Sequence, residues 1–155
     1  MSWTTWKGDY VSMPTQTEIA YLAGLFDGEG CVQCKKIWES RARKGKPRRY
    51  KVWRISLEIS MTDKDTIDWV HKIVGVGTVL INVKNKSPSS KPHWKTQWRW
   101  RCSHRQAYKV CKMIWPYAQL KLPSIEKIID HYEPEFLMND KVVSLHQYRQ
   151  NMDME

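Results

Sequence analysis

An acidic residue between two glycines is the feature of this sequence best suited to chemistry. Glu29 lies between Gly28 and Gly30, shortly after residues 15–26, whose apolar spacing predicts a helix. A helix that ends here leaves backbone carbonyls free beside the carboxylate. Such oxygens suit Mg²⁺, which usually takes one or two carboxylates together with waters and phosphate oxygens. Glu29 and the Gly28 carbonyl are therefore candidate metal ligands, although an acid between two glycines is by itself more often only part of a helix-terminal turn.

Small residues recur every four positions along the same predicted helix, at Ala20, Gly24 and Gly28. They form one stripe, along which a second helix backbone is able to come close, as in the small-residue stripes of membrane helices. Gly within a helix costs about 1 kcal/mol relative to Ala, so close helix–helix contact is the natural compensation at Gly24. Two copies of the helix packed through this stripe would bring two Glu29 carboxylates together, which predicts a homodimer.

Residues 22–30, LAGLFDGEG, resemble the LAGLIDADG signature of homing endonucleases and related intron maturases. Most positions are identical, while Glu29 keeps an acid, Phe26 an apolar residue and Gly28 a small one. The motif occurs once, and the order of elements around it also looks like that of a single-motif member. The resemblance implies an α+β fold of order αββαββα, with a four-stranded antiparallel DNA-binding sheet and C-terminal helices.

The resemblance also implies an activity and a set of catalytic residues. The implied activity is metal-dependent, sequence-specific hydrolysis of double-stranded DNA by a homodimer, at a near-palindromic site of roughly 20 base pairs. Mg²⁺ is the expected cofactor, with Mn²⁺ or Ca²⁺ able to occupy the same site. Glu29 is the implied metal ligand, and Lys121 is similar to a family lysine that helps to organise catalytic water. Asp63 stands where the family commonly has Gln, and it is either catalytic or only a helix N-cap.

Periodicity and turn residues place the other elements. Thr15 or Thr17 is the expected N-cap of the first helix. Strands are expected over residues 31–38, 50–61, 78–84 and 95–103, with a basic turn-like stretch over 39–49 and a polar loop over 85–92. Further helices are expected from Thr62 or Asp63 to Gly75, from Ser103 to about 115, from Pro123 to about 132, and over 140–150.

One face of the expected sheet is polar and basic. Residues 31–105 hold 19 of the 26 Lys and Arg residues but 5 of the 16 Asp and Glu residues, a net charge of +14 against −4 for the rest. A folded basic surface of this kind favours nucleic acid over plain solvation. Trp53, Trp98 and Trp100 alternate with the polar residues and are expected in the core rather than as a stacking platform. The expected DNA-contacting residues are Gln33, Lys35, Arg54, Ser56, Ser60, Asn82, Lys84, Gln97, Arg99 and Arg101.

Composition favours one intracellular domain. We expect it over residues 15–150, between an extension over 1–14 and a tail over 151–155. No apolar run approaches the roughly 18 residues of a membrane span, and the N-terminus lacks signal-peptide features. The cytoplasm, the nucleoid or an organelle is therefore expected, rather than a membrane or secretion. Cys31 and Cys34 form a C-x-x-C, but in a strand they would point to opposite faces, so reduced thiols are expected rather than zinc.

Two other functions stay open from the sequence. A maturase that helps its own intron RNA to fold, without cutting, would use the same basic surface, and so would a non-catalytic DNA-binding regulator. The five His residues form no H-E-x-x-H cluster, and no G-x-S-x-G or Walker A motif occurs. Zinc hydrolysis, acyl transfer and nucleotide-driven chemistry are therefore not supported.

Overall fold

The computed structural model describes residues 13–81 and 95–138, which form an α+β domain. Its helices are α1 (Gln16–Glu29), α2 (Lys64–Val74), α3 (Arg105–Ile114), α4 (Leu122–Tyr132) and α5 (Pro134–Met138). Its strands are β1 (Gly30–Arg43), β2 (Lys46–Met61), β3 (Thr78–Ile81) and β4 (Trp98–Ser103). The expected order αββαββα with C-terminal helices is confirmed. The expected polar loop, the helix over 140–150, the tail and residues 1–12 of the extension lie outside the described residues.

All four strands form one antiparallel sheet, in the order β1–β2–β4–β3. Gln33 of β1 lies opposite Ser56 of β2, and Ser56 lies opposite Ser103 of β4. Because side chains alternate between the two faces of a strand, this register fixes which residues share a face. Even-numbered residues of β1 and β4 and odd-numbered residues of β2 and β3 face the helices. The alternation expected from the sequence is thus confirmed for these strands.

The core lies between the sheet and the helices. Phe26 of α1 meets Trp100 of β4 edge to face, with ring centroids 5.8 Å apart, and both side chains are fully buried. The Trp100 indole N–H donates to the Val76 carbonyl at 2.9 Å, which satisfies its polar atom. Trp100 is therefore a core residue, as expected. The same core includes Leu22, Ile55, Leu57, Ile59, Ile67, Val70, Ile114 and Ile125.

The basic stretch expected as a turn over residues 39–49 is instead part of a long β-hairpin. The strands β1 and β2 stay paired to Arg43 and Lys46, and the turn consists of Lys44 and Gly45. Both turn residues have positive φ, 52° and 74°, which is typical of the two-residue turns that match strand twist. A Lys51 ammonium lies 5.0 Å from the ring of Trp38 directly opposite it, so cross-strand contacts support the pairing despite the positive charge.

The expectation that Trp53 belongs to the core is wrong. Trp53 lies on the helix-facing side of β2, but 40% of it is exposed. Its ring packs against the ring of His131, at a centroid distance of 4.6 Å. Most of β2 from residue 46 to residue 54 is exposed, because the strand continues past the helices that cover its second half.

The first helix begins as expected and ends three residues later than expected. Thr15 and Glu18 form a reciprocal capping box at its start. At its end the Gly30 N–H donates to the Phe26 carbonyl, and Gly30 is already the first residue of β1. A Cβ at Gly30 would lie 2.6 Å from the Phe26 carbonyl oxygen, closer than real Cβ atoms come. The direct passage from helix to strand therefore requires glycine at this position.

The expected first residues of two other helices, α3 and α4, compare differently with the structure. Ser103 is not the N-cap of α3: it pairs with Ser56 in the sheet, and His104, whose N–H donates to Ile55, takes the cap position without a side-chain bond. The expectation for Pro123 is confirmed, since it lies in the first turn of α4.

Substitution of Gly30 by Ala tests the helix-to-strand junction. The added Cβ collides with backbone, which a rotamer change cannot relieve, so Gly30→Ala should lower the free energy of unfolding by about 1–3 kcal/mol. Urea denaturation at one fixed protein concentration measures this difference. Cys31→Ala, at the next and exposed position, is the matched control and should change stability by about 0.5 kcal/mol or less. A Gly30→Ala protein as stable as the control would contradict the packing at this junction.

Candidate functional site

Glu29 is the last residue of α1, and its side chain is exposed. Within residues 13–81 and 95–138 its carboxylate has no hydrogen-bond or ion-pair partner. The last turn of α1 also holds Asp27 and contains no basic residue. Carboxylates are disfavoured at this end of a helix, where the dipole is negative. An exposed carboxylate that meets this repulsion without compensation is suited to binding a cation.

Backbone oxygens accompany Glu29 at the end of α1. The last helical bond runs from the Gly30 N–H to the Phe26 carbonyl, so the Gly28 carbonyl lies beyond it. Glu29 and Gly28 thus supply hard oxygen donors of the kind that Mg²⁺ accepts. No group of three or more His, Cys, Asp or Glu side chains that could hold a metal occurs in the described part of the chain. These donors fit a metal only if a second molecule completes its coordination, and the metal site stays a prediction.

Asp27 joins this end of α1 to the start of α4. Its carboxylate accepts the backbone N–H of Gln119 and that of Lys121, both at 2.8 Å. Lys121 is the N-cap residue of α4. The structure therefore brings Lys121 against the helical turn that ends in Glu29. Sequence analysis gave Asp27 no separate role, and its place in the motif was the signal available.

The basic face expected from the sequence is present on the side of the sheet away from the helices. By the strand register, Arg101 lies opposite Glu58 and Arg99 opposite Ser60. Ser56 shares this face but is 4% exposed, so it offers little surface for a contact. Gln97 directly precedes β4, and Asn82 and Lys84 lie outside the described residues. The expected residues that the strand register places on this face are Gln33, Lys35, Arg54, Ser56, Ser60, Arg99 and Arg101.

An acidic residue interrupts this basic face. The Glu58 carboxylate lies 3.7 Å from the guanidinium of Arg99. The Nε atom of Arg99 is buried and has no hydrogen-bond partner in the described structure. Glu58 was not among the expected site residues, although its position in the alternating pattern of β2 pointed to this face.

The long hairpin carries further cations on its other face. Trp38 is 57% exposed, and the guanidinium of Arg49 and the ammonium of Lys51 lie 5.5 and 5.0 Å from its ring. The β1–β2 hairpin therefore has positive charge on both faces. Sequence analysis missed this arrangement because it interpreted the segment as a turn.

No family model matches the sequence. The fold matches solved homing endonucleases at low sequence identity. I-CvuI, solved in complex with a DNA target in the presence of Mg, is 23% identical over 79% of this chain and 74% of that chain, with a TM-score of 0.51. I-TnaI is 20% identical over 81% of this chain and 79% of that chain, with a TM-score of 0.52. The archaeal intron-encoded I-Vdi141I, complexed with DNA, is 10% identical over 80% and 70%, with a TM-score of 0.52.

The chain has the LAGLIDADG homing endonuclease fold. In this fold the stripe of small residues on α1 lies on the surface of the single chain. Gly24 and Gly28 are exposed, and a Cβ built at either would have nothing within 4 Å. Ala20 is half-buried, while Tyr21 beside it is 58% exposed and meets the Trp69 ring edge to face. No neighbouring element in the described structure packs against Gly24 and so compensates for the low helix propensity of glycine.

Asp63 is the N-cap of α2 in this LAGLIDADG fold. Its carboxylate accepts the Asp65 N–H at 3.2 Å and the Thr66 hydroxyl at 2.6 Å. The interpretation of Asp63 as a helix cap is confirmed, and its catalytic role stays a prediction.

The cysteines have the positions expected of reduced thiols. Cys31 and Cys34 point to opposite faces of β1, with Cys31 exposed and Cys34 half-buried. Cys102 and Cys111 are buried, and burial raises the pKa of Cys102 to about 12. No helix within residues 13–81 and 95–138 combines the length and the apolarity needed to cross a membrane.

Two substitutions of Asp63 separate its structural from its chemical role. Asn is also a good N-cap, so Asp63→Asn should keep the stability of the wild type, while Asp63→Ala should lose about 1 kcal/mol. Thermal and urea unfolding of the three proteins measure this. Equal stability of all three would contradict the cap, and slower DNA cleavage by Asp63→Asn at unchanged stability would reveal a catalytic role.

Proposed function

We propose that this protein is a homodimeric, Mg²⁺-dependent homing endonuclease that cuts double-stranded DNA at a long, near-palindromic site. The observation that carries the proposal is the carboxylate of Glu29 at the end of α1, which is exposed and has no partner among the described residues. Glu29 directly precedes β1, so it lies at the border of the sheet whose outer face is basic.

The basic face of the sheet supplies the DNA-binding surface. Lys35 and Arg54 lie opposite each other on β1 and β2, and Arg99 and Arg101 follow on β4. The major groove of DNA admits a β-ribbon, and Arg, Gln and Ser side chains on it reach base edges as well as phosphates. I-CvuI and I-Vdi141I, which share the fold, were solved with DNA. Binding of DNA by this face would account for its charge.

The exposed stripe on α1 supplies the dimer contact. Packing two α1 helices through Ala20, Gly24 and Gly28 compensates for glycine in a helix interior, and no described neighbour does so within one chain. The two-fold axis would run between the helices and bring both Glu29 carboxylates to it. Each sheet would then bind one half-site, so two-fold symmetry of the protein requires a near-palindromic target.

The catalytic step depends on few side chains. The Glu29 carboxylates and the Gly28 carbonyls of both subunits would hold Mg²⁺, and Mn²⁺ or Ca²⁺ would occupy the same oxygen site. A cation held by these residues would supply positive charge to the attacking and leaving oxygens of the phosphodiester. Lys121, held beside the last turn of α1, orients water through its ammonium hydrogen bonds and offsets phosphate charge. The arginines of β4 bind the DNA backbone and fix its register.

Substitution of Glu29 by Gln tests the nuclease. The amide has the same size but carries no charge, so Glu29→Gln should cut DNA at least about 100-fold more slowly while binding it as tightly. Cleavage is followed on plasmid libraries with Mg²⁺, and binding by gel shift with Ca²⁺. Glu135→Gln, at an exposed position on α5, is the matched control and should cut like the wild type.

The alternatives give different results in this assay. A wild-type protein that binds DNA but cuts none of the library is a DNA-binding regulator. One that instead promotes splicing of an intron RNA without cutting DNA is a maturase. A Glu29→Gln protein that cuts as fast as the wild type contradicts the role of the carboxylate.

Substitution of Gly24 by Leu tests the dimer. Among the described residues none lies within 4 Å of a Cβ at Gly24, so the monomer should fold normally. Its stability should rise by about 1 kcal/mol or less, because Leu has a higher helix propensity than Gly. A Leu side chain would hold two α1 helices apart, so the variant should sediment as a monomer at concentrations where the wild type is a dimer. Asp130→Leu, at an exposed position on α4, is the control for added apolar surface. A dimer that survives Gly24→Leu would contradict the proposed contact.

A further inference from the structure

Both oxygens of the Asp27 carboxylate are occupied by one connection of the chain. Oδ2 accepts the N–H of Gln119 and Oδ1 accepts the N–H of Lys121, each at 2.8 Å. The donors lie 92 and 94 residues away in sequence, so this is a long-range contact between α1 and the connection that leads into α4. Charge-assisted bonds of this kind are shorter and stronger than bonds between neutral groups.

This contact replaces a cap that α4 does not supply itself. The N-cap residue Lys121 makes no side-chain cap bond, and the first turn of α4 contains no acidic residue. Asp27 places a negative charge at this positive end of α4, where the helix dipole favours it. The same charge is disfavoured at the end of α1, to which Asp27 belongs. An acid at this position is therefore explained by its contact with the start of α4 and not by the stability of α1.

The connection lies at the surface between the buried residues Ala118 and Leu122. Leu120 is 73% exposed, and the Leu122 N–H reaches the Gln119 carbonyl at 3.3 Å. Further back, the Tyr117 hydroxyl donates to the Gln16 side chain at 2.5 Å and ties the connection to the start of α1. The Lys121 carbonyl accepts the N–H groups of Ser124 and Ile125 within α4, and Asp27 is the acceptor for the Lys121 N–H.

We propose that Asp27 is a positioning residue, which sets Lys121 at a fixed place relative to Glu29. This inference rests on the proposed function, in which Glu29 binds the metal and Lys121 orients water. Asp27 and Glu29 belong to the same turn of α1. Because the Asp27 carboxylate accepts the Lys121 N–H, it holds the backbone of that lysine at a fixed distance from this turn. Asp27 needs no contact with metal or DNA for this role, because it acts through the two backbone N–H groups that its oxygens accept.

A double-mutant cycle with Asp27→Asn and Lys121→Met tests the coupling. The Asn side chain keeps one oxygen for one N–H but presents an NH₂ group to the other. Single-turnover cleavage should slow about tenfold or more in Asp27→Asn, while DNA affinity in Ca²⁺ stays within about twofold. The double variant should cut no slower than Lys121→Met alone, because Asp27 acts through Lys121. Tyr117→Phe, which removes the other tie of this connection, is the control and should cut like the wild type.

Amide hydrogen exchange gives a second measurement, independent of cleavage. The Gln119 and Lys121 amides should exchange about tenfold or more faster in Asp27→Asn, while the Ile125 and Ile128 amides within α4 keep their protection. Lys121→Met should leave all four amides as they are in the wild type. Loss of protection throughout α4 would assign Asp27 to general stability and overturn the proposal.

The outcomes of the cycle separate this inference from the proposed function. If the wild type cuts DNA and the two substitutions slow it additively, Asp27 does not act through Lys121, and the positioning role is overturned while the nuclease stands. If Lys121→Met cuts as fast as the wild type, the positioning role is likewise overturned. If the wild type cuts no DNA, the proposed function falls, and the positioning role falls with it.

Discussion

The contact of Gly30 with the backbone of Phe26 is the constraint on which the arrangement of this domain depends. A side chain at Gly30 would overlap the Phe26 carbonyl, so glycine lets the chain leave α1 and enter β1 without an intervening loop. Phe26 is at the same time locked against Trp100 in the centre of the core. Glu29 is held between these two fixed residues. The backbone of Glu29 therefore has a defined place relative to the sheet, while its carboxylate is exposed and has no partner within residues 13–81 and 95–138.

The end of α1 is electrostatically unfavourable. Asp27 and Glu29 both carry negative charge where the helix dipole is negative, and no basic residue in the last turn relieves it. Asp27 is compensated by two backbone donors from the connection before α4. Glu29 is compensated by nothing in the described chain. The two acids of the motif therefore differ in their contacts. Asp27 joins α1 to the connection before α4, whereas the Glu29 carboxylate is exposed and, among the described residues, has no partner.

Local signals made much of this structure predictable. The capping box at Thr15, the cap at Asp63 and the proline at the start of α4 follow from neighbouring residues, and strand alternation sorted Arg54, Arg99 and Trp100 to their faces. The errors arose where distant residues decide. Ser103 pairs with Ser56 instead of capping a helix, and Trp53 lies beyond the cover of the helices. The contact of Asp27 with Lys121 joins residues 94 apart in sequence, which no local pattern reveals.

The outer half of the β1–β2 hairpin has a further consequence. Among its described side chains, none from residue 37 to residue 52 is buried, and a turn of only two residues connects the strands. Each strand extends there for about 20 Å, at roughly 3.3 Å per residue. Substitutions in this ribbon remove no core contact, so its chemistry and length are free to change at little cost in stability. The cations of this ribbon, such as Arg49 and Lys51, can therefore change without altering the core or the turn of α1 that carries Glu29.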